Sequence, residues 1–586
     1  MSLRGRRLLL VAVLAASVRA THLVAVAQTP MVEYQRVFAE SDMFMFHEWA
    51  QRIAGGDVLG RVTFHPLTRW QLEVAPPEKW ERWYGGARPV YNKAPFYAYL
   101  LGALYSVFGD SALPMLLLQV AASTAAVALL FVITEGMFGA SAALFAAALF
   151  ALHGPSVHYD ALLLRGPWIV LAALLVTWRL MRAEGRAPLA EGLWLGAAVG
   201  GAILVNEGFV PLLALTLAVA AWRWGRPARG RGALGYALGL AALLGPLLLR
   251  NLAVGAPPFS IAVMGTAAFA FFNGGTTDPL VFGVRPASYR ALLEAGDGNA
   301  LATVTATLAS HGTAGQILRF YAERAAGFLI PFEFPDNVNF YYAALRSPLL
   351  RLLPGHTLVM PLALVGVAVG WRQLRQAVIL APVLLTLTAS IMLTVPVSRY
   401  RATWTVVLLP LAGLALDRMA RWAAQRDVFP VLLALLATAL LALAGRGLEE
   451  RLLGRAVTAA TANRDSEFRV SADVYARRGQ WRSAVRELED LAARTPDRAV
   501  RQNALWAIAA FQHRRGDVAA ARNALERILA AGPRAVEVEV RVGDAYAALG
   551  DVEGARRSYE RALAAGPSEP LQAVLRQKLS ALPGTR

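Results

Sequence analysis

The chain has no cysteine, only three lysines and few charged residues of any kind. The missing cysteine excludes disulfides, thiol catalysis and cysteine-held zinc. Charged residues make up 17% of the 586 positions. Soluble domains run nearer about 25%. That scarcity argues against an ordinary soluble enzyme, and 56% hydrophobic content argues against disorder. No Gly-rich phosphate loop is present, and the histidines show no metal-ligand spacing such as HExxH.

What charge there is comes out strongly basic, with a net of +18 carried almost entirely by arginine. A nucleic-acid binder would gather that charge on a soluble face. Here it is spread unevenly. Residues 446–586 hold 42 charged residues in 141, whereas residues 1–445 hold only 56 in 445. The first part therefore reads as lipid-embedded and the second as water-soluble.

Apolar runs approaching the ~20 residues of a bilayer crossing recur through the first part. They fall near 8–27, 112–134, 140–154, 161–181, 189–205, 208–224, 232–250, 355–371, 376–395, 402–420 and 428–446. These predict an all-α polytopic membrane bundle of about 11 spans, up to 13 at the outside. The stretch 94–108 is too short and reads as interfacial or re-entrant. Arginines in short loops set the orientation. Arg4, Arg6 and Arg7, then Arg182 and Arg186, Arg223 to Arg231, Arg372 and Arg375, and Arg418 to Arg426 all fall on one side. That side is predicted to be cytoplasmic. The loops 28–92 and 251–354 and the C-terminal domain are then outside the cytoplasm. Arg6, Arg7, an apolar run and Ala25-Val26-Ala27 also fit a cleaved leader, although Arg19 and His22 interrupt the run.

The soluble part repeats. Pro496, Pro533 and Pro567 are spaced by 37 and 34 residues, and Gly479, Gly516, Gly550 and Ala484, Ala521, Ala555 keep the same spacings. The last copy carries Gly543, Tyr546, Ala555, Tyr559 and Ala562. This is the tetratricopeptide (TPR) register. Three repeats and a capping helix near 571–582 should stack as an α-solenoid, either offering a concave surface to a protein partner or acting as a spacer. The predicted divisions are a membrane domain at 1–446, a linker at 447–464 and the repeats at 465–586.

Ionisable residues near membrane depth are functional candidates. The first outer loop contains Ser41-Asp42 opening an amphipathic helix with His47 and Glu48. Tyr91-Asn92-Lys93-Ala94-Pro95-Phe96-Tyr97 follows, leading into an apolar helix that ends at Phe108-Gly109. Then come His158-Tyr159-Asp160 with Leu163-Leu164-Arg165, Arg250-Asn251 with Gly255 and Asn273-Gly274, Glu333-Phe334-Pro335-Asp336-Asn337, and Arg399-Tyr400-Arg401. In this order, over roughly residues 1–420, these segments resemble the membrane-embedded GT-C-fold glycosyltransferases. The resemblance is to bacterial relatives of the dolichyl-phosphate-mannose–protein mannosyltransferases and of the lipid A aminoarabinose transferases. Two departures stand out: Ala94 replaces a proline, and Asn206-Glu207 stands where relatives often have arginine.

The resemblance implies a GT-C-type bundle that moves a sugar from a polyprenyl-phosphate donor to an acceptor hydroxyl outside the cytoplasm, with inversion. It implies no cofactor and no required metal, a bacterial cytoplasmic-membrane location, and a protein, lipid or glycan acceptor. Asp42 is then the expected general base, since a carboxylate of ordinary pKa, about 3.9, is ionised at neutral pH. Asp160 is expected to position the acceptor or the base. Lys93, Arg250, Arg399 and Arg401 are expected at the donor phosphate, where fixed cations stabilise the leaving group. His47, Glu48, Tyr97, Asn251, Glu333 and Tyr400 are expected near the substrates. Two other classes compete with this reading: a ligase for lipid-linked oligosaccharides, and a non-enzymatic transporter or anchor presenting the TPR scaffold.

Overall fold

The computed structural model describes residues 2–61, 74–84, 89–263, 265–281, 283, 285–531 and 535–583. They divide into two compact units, Met1–Gly454 and Arg455–Arg586. Among the described residues the regular structure is entirely helical.

In the first unit, every apolar run read from the sequence contains a helix. Eight helices among the described residues are long and apolar enough to cross a membrane: Leu3–Ala27, Leu113–Phe138, Pro188–Val205, Arg229–Ala253, Leu349–Val369, Trp371–Leu393, Ser398–Ala424 and Val428–Leu452. A ninth is formed if Ala140–Leu152 and Gly154–Asp160, bent by 54° to each other, make one span. The bend has a cause. Pro155 lacks an N–H to continue the ladder, and the Gly154 N–H donates instead to the Pro354 carbonyl at 2.9 Å.

Two expected spans fall short. Gly166–Met181 has 16 residues and Leu212–Trp224 has 13. At about 1.5 Å per residue these reach roughly 24 and 20 Å. The turns they lack lie at Leu162–Arg165 and Asn206–Phe209, where a charged pair replaces regular helix. The stretch 94–108 is likewise a 13-residue helix, Phe96–Phe108.

Ser398–Ala424 is the central element, with 83% of its apolar window buried. Glycines let neighbours approach it. A Cβ on Gly366 would meet the Leu411 carbonyl oxygen at 1.9 Å, and one on Gly413 would meet that of Ala142 at 2.4 Å. Val428–Leu452 is the opposite case, at 11% buried. Its exposed Leu432, Leu433, Leu436, Leu440 and Leu443 would face hydrocarbon.

The tightest helix pair is Pro188–Val205 on Arg229–Ala253, where backbone lies on backbone. Cβ atoms on Gly192, Gly196, Gly235 or Gly239 would meet carbonyl oxygens at 2.0–2.1 Å. Small residues four apart are the usual means of such approach in membranes. Gly196→Leu should therefore separate the pair and cost about 1–3 kcal/mol, the usual penalty of overpacking. Gly201, on the same helix with open space around its Cβ position, is the control. A lower melting midpoint for Gly196→Leu than for Gly201→Leu in detergent checks this.

The second unit is three helical pairs and a final helix. The pairs are Asp465–Arg477 with Trp481–Arg494, Arg498–Arg514 with Val518–Ala530, and Val536–Ala548 with Val552–Ala564; Glu569–Ser580 follows. Gly479, Gly516 and Gly550 have φ of 70–81° and end the first helix of each pair. Ala484, Ala521 and Ala555 are fully buried in the second helices. A Cβ on Gly543 would meet the Tyr559 ring at 2.5 Å, which explains that glycine. Pro533 lies outside the described residues. Helix Gly454–Ala462 occupies half of the predicted linker, and the end of Val428–Leu452 runs into it.

Candidate active site

Asp42 opens the helix Asp42–Ala54, whose N-cap Ser41 accepts the Phe44 N–H. A carboxylate at a helix start is favoured by the dipole. Lys93 Nζ approaches Asp42 Oδ1 at 2.6 Å, and Arg399 Nη1 approaches Oδ2 at 2.8 Å. The Asp42 backbone N–H donates to Asn337 Oδ1. Arg399 Nε lies 2.8 Å from Asp336 Oδ2, so one guanidinium joins two carboxylates. Asn337 Nδ2 donates to Asp336 Oδ2 at 3.0 Å. Arg399 also donates to the Tyr400 hydroxyl at 3.3 Å and covers its ring at 5.0 Å.

A second charged pair adjoins the first. Arg165 donates to both Glu207 oxygens, at 2.6 and 3.0 Å, in the planar fork that suits a carboxylate. Glu207 Oε2 also accepts the Ala94 N–H at 3.1 Å, next to Lys93. The Glu207 that departs from the resembled family thus fastens the loop carrying Lys93.

Three cations in this cluster mark helix starts. Lys93 lies just ahead of Phe96–Phe108, Arg165 caps Gly166–Met181, and Arg399 is the second residue of Ser398–Ala424. A cation at a helix N-terminus is unfavourable unless an anion accompanies it. Asp42, Asp336 and Glu207 are those anions here, and the six charges cancel. Burial pushes the Asp42 carboxyl up, but the Lys93 and Arg399 charges outweigh burial and hold it well below the usual carboxylate range. Burial also raises Glu207, and Arg165 overrides it, bringing that carboxyl down to about 2. The Asp42 side chain keeps 22% exposure and Lys93 keeps 16%, against 5% for Arg399. Asp42 and Lys93, with Glu207 at 32%, are therefore the more open parts of the cluster, and Arg399 is the closed one.

Of the residues expected at the site, the structure brings together Asp42, Lys93, Arg399 and Tyr400. It places others differently. Asp160 is paired with Arg19 of the first helix, Nε to Oδ2 at 2.7 Å, and accepts the Ser123 hydroxyl at 2.6 Å. Arg250 was expected at the phosphate, but its guanidinium donates to the carbonyls of Leu59, Gly60 and Pro89, each at 2.7 Å, and stacks 3.9 Å above the Tyr91 ring. It fastens the segments 59–60 and 89–91 of the loop after the first helix. Asn251 pins the next loop through the Pro258 and Ser260 carbonyls.

Arg401, also expected at the phosphate, is 1% exposed and donates to the carbonyls of Gly327, Ile330 and Phe332. Glu333 joins it at 3.2 Å and accepts the Ser398 hydroxyl at 2.5 Å. Together they shape the 327–333 segment. Tyr97 is buried on Gln119, which in turn ties down the Asp160 and Leu162 carbonyls. His47 is buried against the Tyr105 hydroxyl at 2.8 Å, and burial lowers its pKa. Glu48 is half-buried on the same helix and makes none of the contacts of Asp42.

Arg165, Glu207, Asp336 and Asn337 were not expected at the site. Their signal in the sequence is charge or amide at the edge of apolar runs, where such groups are costly unless paired. Among the described residues no group of three or more acidic or histidine side chains is placed to hold a metal ion.

Residues 92–248, which carry Lys93, Arg165 and Glu207, match the family described as dolichyl-phosphate-mannose-protein mannosyltransferase. Residues 467–584 match the tetratricopeptide repeat-like domain. No curated protein matches the chain. Among solved structures, the apo oligosaccharyltransferase of Archaeoglobus fulgidus is similar at 12% identity and TM-score 0.42, over 77% of this chain and 56% of that one. The chain thus spans little more than half the length of that archaeal protein. ArnT from Cupriavidus metallidurans, bound to undecaprenyl phosphate, is similar at 15% identity and TM-score 0.32, over 72% of this chain and 80% of that one. Residues 92–248 are accordingly a domain of the dolichyl-phosphate-mannose-protein mannosyltransferase family, in a chain that also carries a tetratricopeptide repeat-like domain.

Proposed function

We propose that the protein is an integral-membrane glycosyltransferase that moves a sugar from a polyprenyl-phosphate donor to an acceptor hydroxyl, with Asp42 as general base. The observation that carries this reading is the Asp42 carboxylate held between Lys93 and Arg399, two cations at helix starts, beside the mannosyltransferase-family segment. In the step, the acceptor O–H gives its proton to Asp42 while its oxygen bonds to the sugar C1. The C1–O bond to phosphate breaks, and the electron pair leaves with the polyprenyl phosphate. That leaving group gains charge, which Lys93 and Arg399 stabilise where it develops. Attack opposite the phosphate inverts the anomeric centre. Arg165 and Glu207 hold the Lys93 loop, and Asp336 holds Arg399. The one-sided arginines of the short loops support a site on the extracytoplasmic side of a bacterial cytoplasmic membrane, with the repeats on that side. The repeat domain supports a protein or peptide partner.

Membranes containing the protein, supplied with labelled sugar on a polyprenyl monophosphate or labelled glycan on a polyprenyl diphosphate, test the donor class. Transfer from the monophosphate is expected. Transfer only from the diphosphate would make the protein an oligosaccharide ligase, and transfer from neither would sink the reading.

A further inference from the structure

Both oxygens of Asp42 are in ion pairs, one with Lys93 and one with Arg399. These are the same two cations assigned above to the donor phosphate, on which reading this inference rests. The three cations at helix starts are already neutralised by three carboxylates, so among the described residues the cluster holds no surplus positive charge for an arriving anion. From these residues, a phosphate gains a cation by taking it from a carboxylate.

The two cations are not equally held. Arg399 is 5% exposed and is shared with Asp336 at 2.8 Å, so it keeps an anchor if it leaves Asp42. Lys93 is three times as exposed, on a flexible four-carbon stem that places a point charge. Lys93 is therefore the group that can turn away.

We propose that Asp42 acts as an internal stand-in for the donor phosphate: the arriving phosphate takes Lys93 from Asp42, and the base is uncovered only when the donor is bound. A carboxylate freed from a cation is a stronger base, so proton abstraction becomes coupled to donor occupancy. An uncharged side chain at position 42 then removes a competitor for Lys93, and donor phosphate should bind more tightly to a chain that cannot catalyse. A base with no part in phosphate binding would leave that affinity unchanged.

The experiment titrates a polyprenyl monophosphate onto the full-length protein in lipid nanodiscs. Wild type, Asp42→Asn, Lys93→Met and the double variant are compared, with the phosphate-free prenol as blank. Asp42→Asn should bind roughly tenfold tighter than wild type, equivalent to losing about 1.4 kcal/mol of competition. Lys93→Met should bind more weakly, and the double variant should show none of the gain. Should Asp42→Asn fail to fold, Asp42→Ser makes the same comparison. Equal or weaker binding by the position-42 variant overturns the exchange while leaving the donor reading intact. Wild type binding the prenol as well as the phosphate overturns both.

Discussion

Asp42→Asn is expected to lower the sugar-transfer rate by about 10²- to 10⁴-fold, the range general-base catalysis contributes. The loss should appear in kcat, with no rise in the donor KM. The asparagine keeps the shape of the side chain, the Ser41 cap and the backbone contact to Asn337, so the helix start survives. What it cannot do is take the acceptor proton. The pH profile separates a base from a bystander. Burial raises the Asp42 carboxyl, and Lys93 and Arg399 lower it further than burial raises it. A carboxyl held below its ordinary range stays ionised as pH falls and is protonated only below that range. kcat/KM for the donor reports the free enzyme, so its acid limb should lie below pH about 4. kcat reports the donor complex, where Lys93 has turned to phosphate, so its acid limb should lie at higher pH. Transfer near wild type in labelled-donor assays of Asp42→Asn membranes would remove Asp42 from the chemistry.

The path from sequence to site was uneven for physical reasons. Apolar run length is local information, so every predicted run contains a helix. What the runs could not show is that Arg165 and Glu207 bond to each other and cut short the two helices they adjoin. The repeats were legible in full register because each copy requires the same small residues and the same turning glycine. Asp42, Lys93 and Arg399 could be picked out because each stands at the start of an element, in a segment with a recognisable neighbour pattern. Arg250 and Arg401 carry the same kind of signal, but their guanidinium groups bond to backbone. Their partners are backbone carbonyls at Leu59, Gly60, Pro89, Gly327, Ile330 and Phe332, and carbonyls leave no trace in a sequence. The net charge of +18 is similarly deceptive. At the Asp42 cluster, among the described residues, carboxylates match the cations one for one.

Asp160 offers the second large effect, and it lies in the interior of the bundle. Arg19 is fully buried in the first helix, with Asp160 at 5% exposure. Nε serves Asp160 and Ser123, and Nη1 serves the Ala151 carbonyl at 3.0 Å. Removing one partner of a buried pair leaves a charge without compensation, at about 3–5 kcal/mol. Arg19→Met should therefore destabilise the membrane unit strongly, and Asp160→Asn should do so as well. The Arg19→Met, Asp160→Asn double variant should be less destabilised than the two losses summed, because neither residue then leaves a buried charge behind. Unfolding of the detergent-solubilised protein, read as a full double-mutant cycle, measures the coupling. The same variants settle what Asp160 does. If it serves the bundle, Asp160→Asn protein that remains folded should retain transfer, and the double variant should retain it too. Loss of transfer at unchanged stability would instead return Asp160 to the acceptor side of the reaction. The arginine that interrupts the first apolar run would then be the means by which an otherwise lipid-facing helix holds a reacting carboxylate in place.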